Sequence, residues 1–142
     1  MNECMGETPM LRKNRMLEFN HAMIYTADVR RALEFYRDHL GFEAIEVHPD
    51  YARLKSASGA STIALHALEK GATFDGAQER TRLYFEAESL DQFCAALAAK
   101  GVVIEQMPAD MPWGWRHAYL RDPDGRQISL YSAGPKRLGK ST

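Results

Sequence analysis

The chain has 142 residues, 45% of them apolar and 26% charged, and its eighteen basic and nineteen acidic side chains leave a formal net charge of −1. That length and balance fit one globular domain, or two half-domains sharing a core, able to fold without disulfides or a structural metal. They exclude a disordered or collagen-like chain, supply no overall field for nucleic acid or an anionic membrane, and contain no apolar run near the ~18 residues of a bilayer span.

Residues 1–16 read as a leader, with Met1, Met5, Met10 and Met16, a basic cluster of Arg12, Lys13 and Arg15, and no regular period. A true start at Met16 is one reading, a basic arm the other. The leader lacks the apolar stretch of a signal peptide, and Cys4 and Cys94 make no disulfide framework, so the expected compartment is the cytoplasm. Cys94 sits among apolar helical neighbours and reads as a small hydrophobe.

A strand is predicted over 19–25. Asp28 then caps a helix whose apolar stripe is Val29, Ala32, Leu33, Tyr36 and Leu40, with Gly41 as its stop. Strands follow over 42–48, 52–56 and 61–68. A fifth strand, 81–87, leads to a second helix, opened by a capping box of Ser89 and Gln92 and striped with Leu90, Phe93, Cys94 and Leu97. Gly101 ends that helix. Strands over 102–106, 115–121 and 126–132 complete the series, the last two joined by Asp122-Pro123-Asp124-Gly125, whose residues suit a type I turn. Residues 134–142 read as a basic tail.

The order strand, helix, three strands is therefore written twice, and residues 21–36 lie over 82–97 at an offset of 61, with Ile24 on Phe85 and Val29 on Leu90. The expected fold is α+β: two βαβββ modules, 17–70 and 80–133, in one domain over 17–133. Strand parity separates two faces. One is aliphatic and suits a helix: Ile24, Ile63, Leu65, Leu83, Phe85, Ile128 and Leu130. The other carries His21, Tyr25, His66, Arg82, Tyr84, Glu86, Gln127, Ser129 and Tyr131, as either a solvated surface or the lining of a binding site.

This pattern resembles the glyoxalase/bleomycin resistance protein/extradiol dioxygenase (vicinal oxygen chelate) superfamily. The resemblance rests on Phe19-Asn20-His21-Ala22-Met23, on Phe35-Tyr36 with Leu40-Gly41-Phe42, and on the run from Asp122-Pro123-Asp124-Gly125 through Ile128-Ser129-Leu130-Tyr131. It implies paired modules curled into a cup-shaped mixed sheet around a small-molecule pocket, with helices on the outer face, and a homodimer. In metal-dependent members the ligands come from the first, fourth, fifth and eighth strands. Here those positions hold His21, Ala64, Arg82 and Ser129. A divalent site needs imidazole or carboxylate donors, and a guanidinium has no acceptor lone pair. Two unit charges 4 Å apart repel by about 4 kcal/mol at an effective dielectric near 20, so the Arg82 cation would strongly disfavour a metal ion there. His66 is the nearest substitute donor. No metal or other cofactor is therefore expected.

For Arg82 the expected role is contact with a ligand carboxylate, phosphate or sulfonate, against an internal ion pair. His21 reads either as a general base or hydrogen-bond partner in the cup, or as a side chain satisfied by a neighbour. Tyr25, Tyr84 and Tyr131 either wall a flat ligand or pad the sheet. Glu86 and Gln127 either orient a ligand or satisfy each other. Trp113 and Trp115 precede the seventh strand, where the resemblance implies a cup rim or an aromatic lid. His117 and Tyr119 share one face of that strand, with the inward side undetermined.

The expected function is a small-molecule-binding protein, either sequestering a small anionic or polar aromatic ligand in the manner of bleomycin resistance or acting on it without metal. Arg82 and the near-zero net charge disfavour a cationic drug. The alternatives are a metal-dependent lyase or isomerase like lactoylglutathione lyase, then an extradiol dioxygenase, then an interaction module with a vestigial cup.

Overall fold

A computed structural model describes residues 17–76 and 80–139. The predicted leader and the end of the predicted tail lie outside these described residues. The first module runs β1 (His21–Thr26), α1 (Val29–Leu33, extended by wide helical turns over Glu34–His39), β2 (Glu43–His48), β3 (Tyr51–Lys55) and β4 (Thr62–Ala67). The second runs β5 (Arg82–Glu86), α2 (Leu90–Ala99), β6 (Ile104–Asp110), β7 (Arg116–Arg121) and β8 (Gln127–Ser132).

Each module forms its own four-stranded mixed sheet, ordered β1-β4-β3-β2 and β5-β8-β7-β6. The pairs β1–β4 and β5–β8 are parallel and the remaining pairs antiparallel. The repeat read from the sequence is thus a repeat of topology. β1 and β5 occupy equivalent edges, and among the described residues no strand of one sheet pairs with the other.

The Asp28 carboxylate accepts from the backbone N–H groups of Arg30 and Arg31 at 3.0 and 3.2 Å, as a cap should. Three local expectations change. The first helix does not stay regular to Leu40: its last turns widen, with Leu40 N–H donating to the Phe35 carbonyl at 2.9 Å. The extra residue per turn rotates the chain, and Phe35, outside the predicted stripe, is buried beside Tyr36. Ser89 makes no side-chain cap to α2. β6 runs to Asp110 rather than stopping at Gln106, passing Pro108 with two register shifts. It is an edge strand, where a missing N–H breaks no ladder.

The aliphatic faces and both helices share one core, including Ile24, Tyr36, Leu54, Leu65, Leu97, Leu120 and Ile128. Phe42 meets Phe85 edge-on at 5.1 Å across the module boundary. Beside it lies a buried polar clamp. The Tyr36 hydroxyl and Arg126 Nη1 each donate to Asp122 at 2.6 Å, and Arg126 Nη2 donates to the Tyr25 carbonyl at 2.9 Å. The Ala27 N–H donates to Asp124 at 2.9 Å. The Asp-Pro-Asp-Gly turn of the second module is thereby fastened to the first strand and helix of the first.

The predicted tail begins as structure: Gly134–Leu138 forms a short 3-10 turn. Cys94 is a free, buried thiol, and burial raises its pKa, with Asp91 adding to the effect. No helix among the described residues is long and apolar enough to cross a membrane.

Candidate functional site

With the aliphatic faces turned to the core, the opposite faces of the two sheets carry the polar and aromatic side chains. They differ sharply. The first sheet presents His21, Met23 and Tyr25 from β1 beside Thr62, Ala64 and His66 from β4. This face is open, with Met23 47% and Tyr25 44% exposed. His21 Nδ1 lies 2.6 Å from the hydroxyl of Thr62, its register partner. His66 Nδ1 donates to the Ala67 carbonyl at 2.7 Å, and its ring meets Tyr25 and Tyr51 edge-on.

The second sheet covers its own polar face with rings. Register places Tyr84 beside Ser129 and Ser129 beside Tyr119, while Glu86, Tyr131 and His117 form the next row. At the centre stands His117, only 2% exposed. Its imidazole stacks on Trp115 at 5.9 Å, Tyr119 at 5.7 Å and Tyr131 at 5.7 Å, and meets Trp113 and Tyr84 edge-on at 5.4 and 5.9 Å. Nδ1 lies 2.6 Å from the buried Ser129 hydroxyl. Nε2 is buried with no hydrogen-bond partner.

This packing changes the chemistry of the groups within it. Burial lowers the pKa of His117, so its imidazole is neutral near pH 7. Burial raises Tyr131, with Glu86 adding to the effect, and raises Tyr119, with Tyr84 adding and Arg82 opposing. The nearby Arg82 guanidinium is exposed at the margin of the aromatic layer. Glu86 has a different attachment: its carboxylate accepts from the backbone N–H groups of Gly134 and Ala133 at 2.7 and 3.0 Å, which lowers its pKa. It anchors the chain after β8.

Of the side chains singled out from the sequence, the structure gathers Tyr84, Trp113, Trp115, Ser129 and Tyr131 into one cluster, with Arg82 and Gln127 paired in register beside it. His21, Tyr25 and His66 lie on the first sheet, in a separate set of contacts. The centre of the cluster is His117, whose inward side the sequence reading does not assign. A signal was present: Trp115, His117 and Tyr119 alternate with Ala118 and Leu120, so the aromatic face had to oppose the aliphatic one.

A cleft of about 840 Å³ also runs along the β5 edge between the modules, bordered by Phe42, Ser58, Tyr84, Glu86, Gln92 and Phe93.

His21, Ala64, Arg82 and Ser129, the positions at which the resemblance would put metal ligands, do not offer four donors. Ala64 is buried and has no donor, Arg82 is a cation, and the Ser129 hydroxyl is paired with His117. Among the described residues no three side chains from His, Cys, Asp and Glu gather closely enough to hold an ion.

Paired βαβββ modules, each with a helix on one face and a polar, aromatic face opposite, define an α+β fold of two repeated modules. The chain belongs to the glyoxalase/bleomycin resistance protein/dioxygenase superfamily, whose family profile matches residues 18–130. It is 31% identical over 114 residues to the uncharacterized protein YraH of Bacillus subtilis (strain 168), covering 73% of this chain and 89% of YraH. Its structure is similar to lactoylglutathione lyase from Agrobacterium tumefaciens, with a TM-score of 0.68 at 20% identity over 88% of this chain and 98% of that one. It is also similar to a superfamily member from Sphaerobacter thermophilus DSM 20745, with a TM-score of 0.64 at 24% identity over 82% and 98% of the two chains. At such identities these structures establish the shared fold.

Proposed function

We propose that the chain is a glyoxalase/bleomycin-resistance-like protein that binds a small anionic or polar aromatic ligand without the divalent metal of its relatives. The ligand lies against the aromatic face of the second sheet. The observation that carries this reading is the ring cluster about His117 with the Arg82 guanidinium at its margin. Aromatic faces and edges bind flat molecules, and a guanidinium offers a fork of donors to a carboxylate. Arg82 occupies the position where a metal-dependent relative keeps a ligand, so a fixed positive charge replaces a bound one. The absence of a ligating atom at Ala64 and the fixed cation at Arg82 support metal independence.

Two further features support a homodimer. The edges β1 and β5 are unpaired among the described residues, and Met23, Tyr25, Ile45 and Val47 leave apolar surface exposed. A second copy would cover such surface and set the open first sheet beside another chain's aromatic face. The expected setting is the cytoplasm.

The test combines metal analysis of the purified full chain with thermal melts in 2-naphthoate. The expected result is no stoichiometric divalent ion, a rise in Tm with 2-naphthoate, and loss of that rise in Arg82→Gln. A stoichiometric ion with Tm indifferent to aromatic acids would overturn the reading in favour of a metal-dependent lyase or isomerase. Light scattering at twice the chain mass is expected for the dimer, and a monomer at micromolar concentration would refute it.

A further inference from the structure

We infer that His117 Nε2 is a ligand-contacting atom, covered by Trp113 until the hydroxyl of a flat, two-ring aromatic acid replaces that cover. This rests on the proposed binding function and adds to it a specific recognition group, a movable cover and a ligand class.

The starting point is an unpartnered polar atom in a side chain that is otherwise fully engaged. A buried donor or acceptor without a partner is destabilising, and such groups are rare unless they do something. Edge-on ring contacts with Trp113 and Tyr84 are weak substitutes for a hydrogen bond. The imidazole cannot turn away to find a better one. Its Nδ1 is tied to Ser129 at 2.6 Å, and Trp115 stacks on it with ring planes 9° apart. Nε2 therefore keeps one direction.

The cover, by contrast, is thin. Trp113 is 40% exposed and sits at the tip of the β6–β7 turn. The backbone there is held by bonds from Met111 N–H to the Trp115 carbonyl at 2.7 Å and from Gly114 N–H to the Met111 carbonyl at 2.9 Å. Lys136 Nζ reaches the Gly114 carbonyl at 3.4 Å. With the backbone fixed, rotation of the indole is the motion that uncovers Nε2, and a rotamer change of a half-exposed ring needs no unfolding.

The chemistry of the space left by the indole selects the ligand. It is bounded by rings, so the replacement is flat and aromatic. A hydroxyl both donates and accepts, so it satisfies Nε2 in either tautomer of the neutral imidazole. Arg82 fixes the other end. Gln127, its register partner, is four residues along β8 from Tyr131, the partner of His117. With about 3.3 Å per residue and about 4.8 Å per strand, the backbone positions of Arg82 and His117 stand roughly 16 Å apart on the face. One ring is short for that span, while two fused rings with a hydrogen bond of about 2.8 Å at each end suit it.

The full-length chain is titrated calorimetrically with 6-hydroxy-2-naphthoate and with 2-naphthoate, which differ only in the hydroxyl. The hydroxylated acid is expected to bind about tenfold more tightly, the effect of one good hydrogen bond. In His117→Phe, which keeps a ring in place, the ratio between the two acids is expected to fall to about one. Arg82→Gln is expected to weaken both acids equally. His117→Phe alters a packed ring layer, so imidazole ¹⁵N NMR of the wild-type chain gives an independent reading: Nε2 of His117 shifts with the hydroxylated acid alone. Equal affinities in the wild type, a ratio preserved in His117→Phe, or an unmoved Nε2 resonance would overturn this inference and leave the binding function standing. Failure of both acids to bind would overturn both.

Discussion

Replacing Asp122 by alanine tests how the two modules are held together. Its carboxylate accepts from the Tyr36 hydroxyl and Arg126 Nη1, both at 2.6 Å, and from the backbone N–H groups of Asp124 and Arg126 at 3.0 and 2.9 Å. The Asp122 side chain is 0% and that of Arg126 4% exposed. Asp122→Ala therefore leaves a buried guanidinium without its counter-charge, and removing one partner of such a pair costs about 3–5 kcal/mol. For a chain of this length that lowers Tm by roughly 10–15 °C. Tyr36→Phe removes one charge-assisted bond and costs about 1.5–3 kcal/mol. The double variant Asp122→Leu/Arg126→Met removes both charges and is expected to lose less than Asp122→Ala alone, because no unpaired ion remains. Urea unfolding is followed by tryptophan fluorescence, which reports on the second module through Trp113 and Trp115, and by circular dichroism, which reports on both. The two curves are expected to coincide in the wild type. A loss below about 1 kcal/mol in Asp122→Ala, or a double variant as unstable as the sum of its singles, would refute the clamp.

The remaining predictions concern the site and its surroundings. His117 has a folded pKa below its unfolded one, so the unfolded chain binds the extra proton first; stability falls as pH drops below about 6.5 and levels off beneath the folded pKa. That segment of the pH–stability curve should vanish in His117→Phe and shrink in Trp113→Ala, which admits water to the imidazole; an unchanged slope would contradict the burial argument. Glu86, whose folded pKa is lowered by the Gly134 and Ala133 N–H groups, contributes stability present above its unfolded pKa of about 4.3 and lost as pH falls through the folded one. Glu86→Gln should speed amide exchange at Ala133 and Gly134 at neutral pH, and equal exchange in both proteins would show that the anchor is idle. Asp28→Ala should lower stability by about 1 kcal/mol through loss of two cap bonds, measured by urea midpoint.

Much of the molecule was legible in its residues because the relevant signals are local. Alternation along Thr62–Ala67 and Gln127–Ser132 sorts aliphatic from polar faces, Asp28 announces a helix, and the Asp-Pro-Asp-Gly run announces a turn. Recurrence of strand, helix and three strands predicted the pair of modules that the sheets realise. What stayed hidden depends on partners distant in the chain. Whether Glu86 faced a ligand or the backbone at Gly134 depended on where the chain turned after β8. His117 had no side until β7 was placed between β6 and β8, and its isolation from water is created by Trp113, Trp115, Tyr84 and Tyr131, drawn from three separate segments. The sequence by itself determined the elements, their order and the two faces of each strand, since side-chain alternation and turn chemistry act over a few residues. Only tertiary packing decided which polar face stays open and which closes over an unpartnered nitrogen, because burial is a property of the neighbours a side chain acquires.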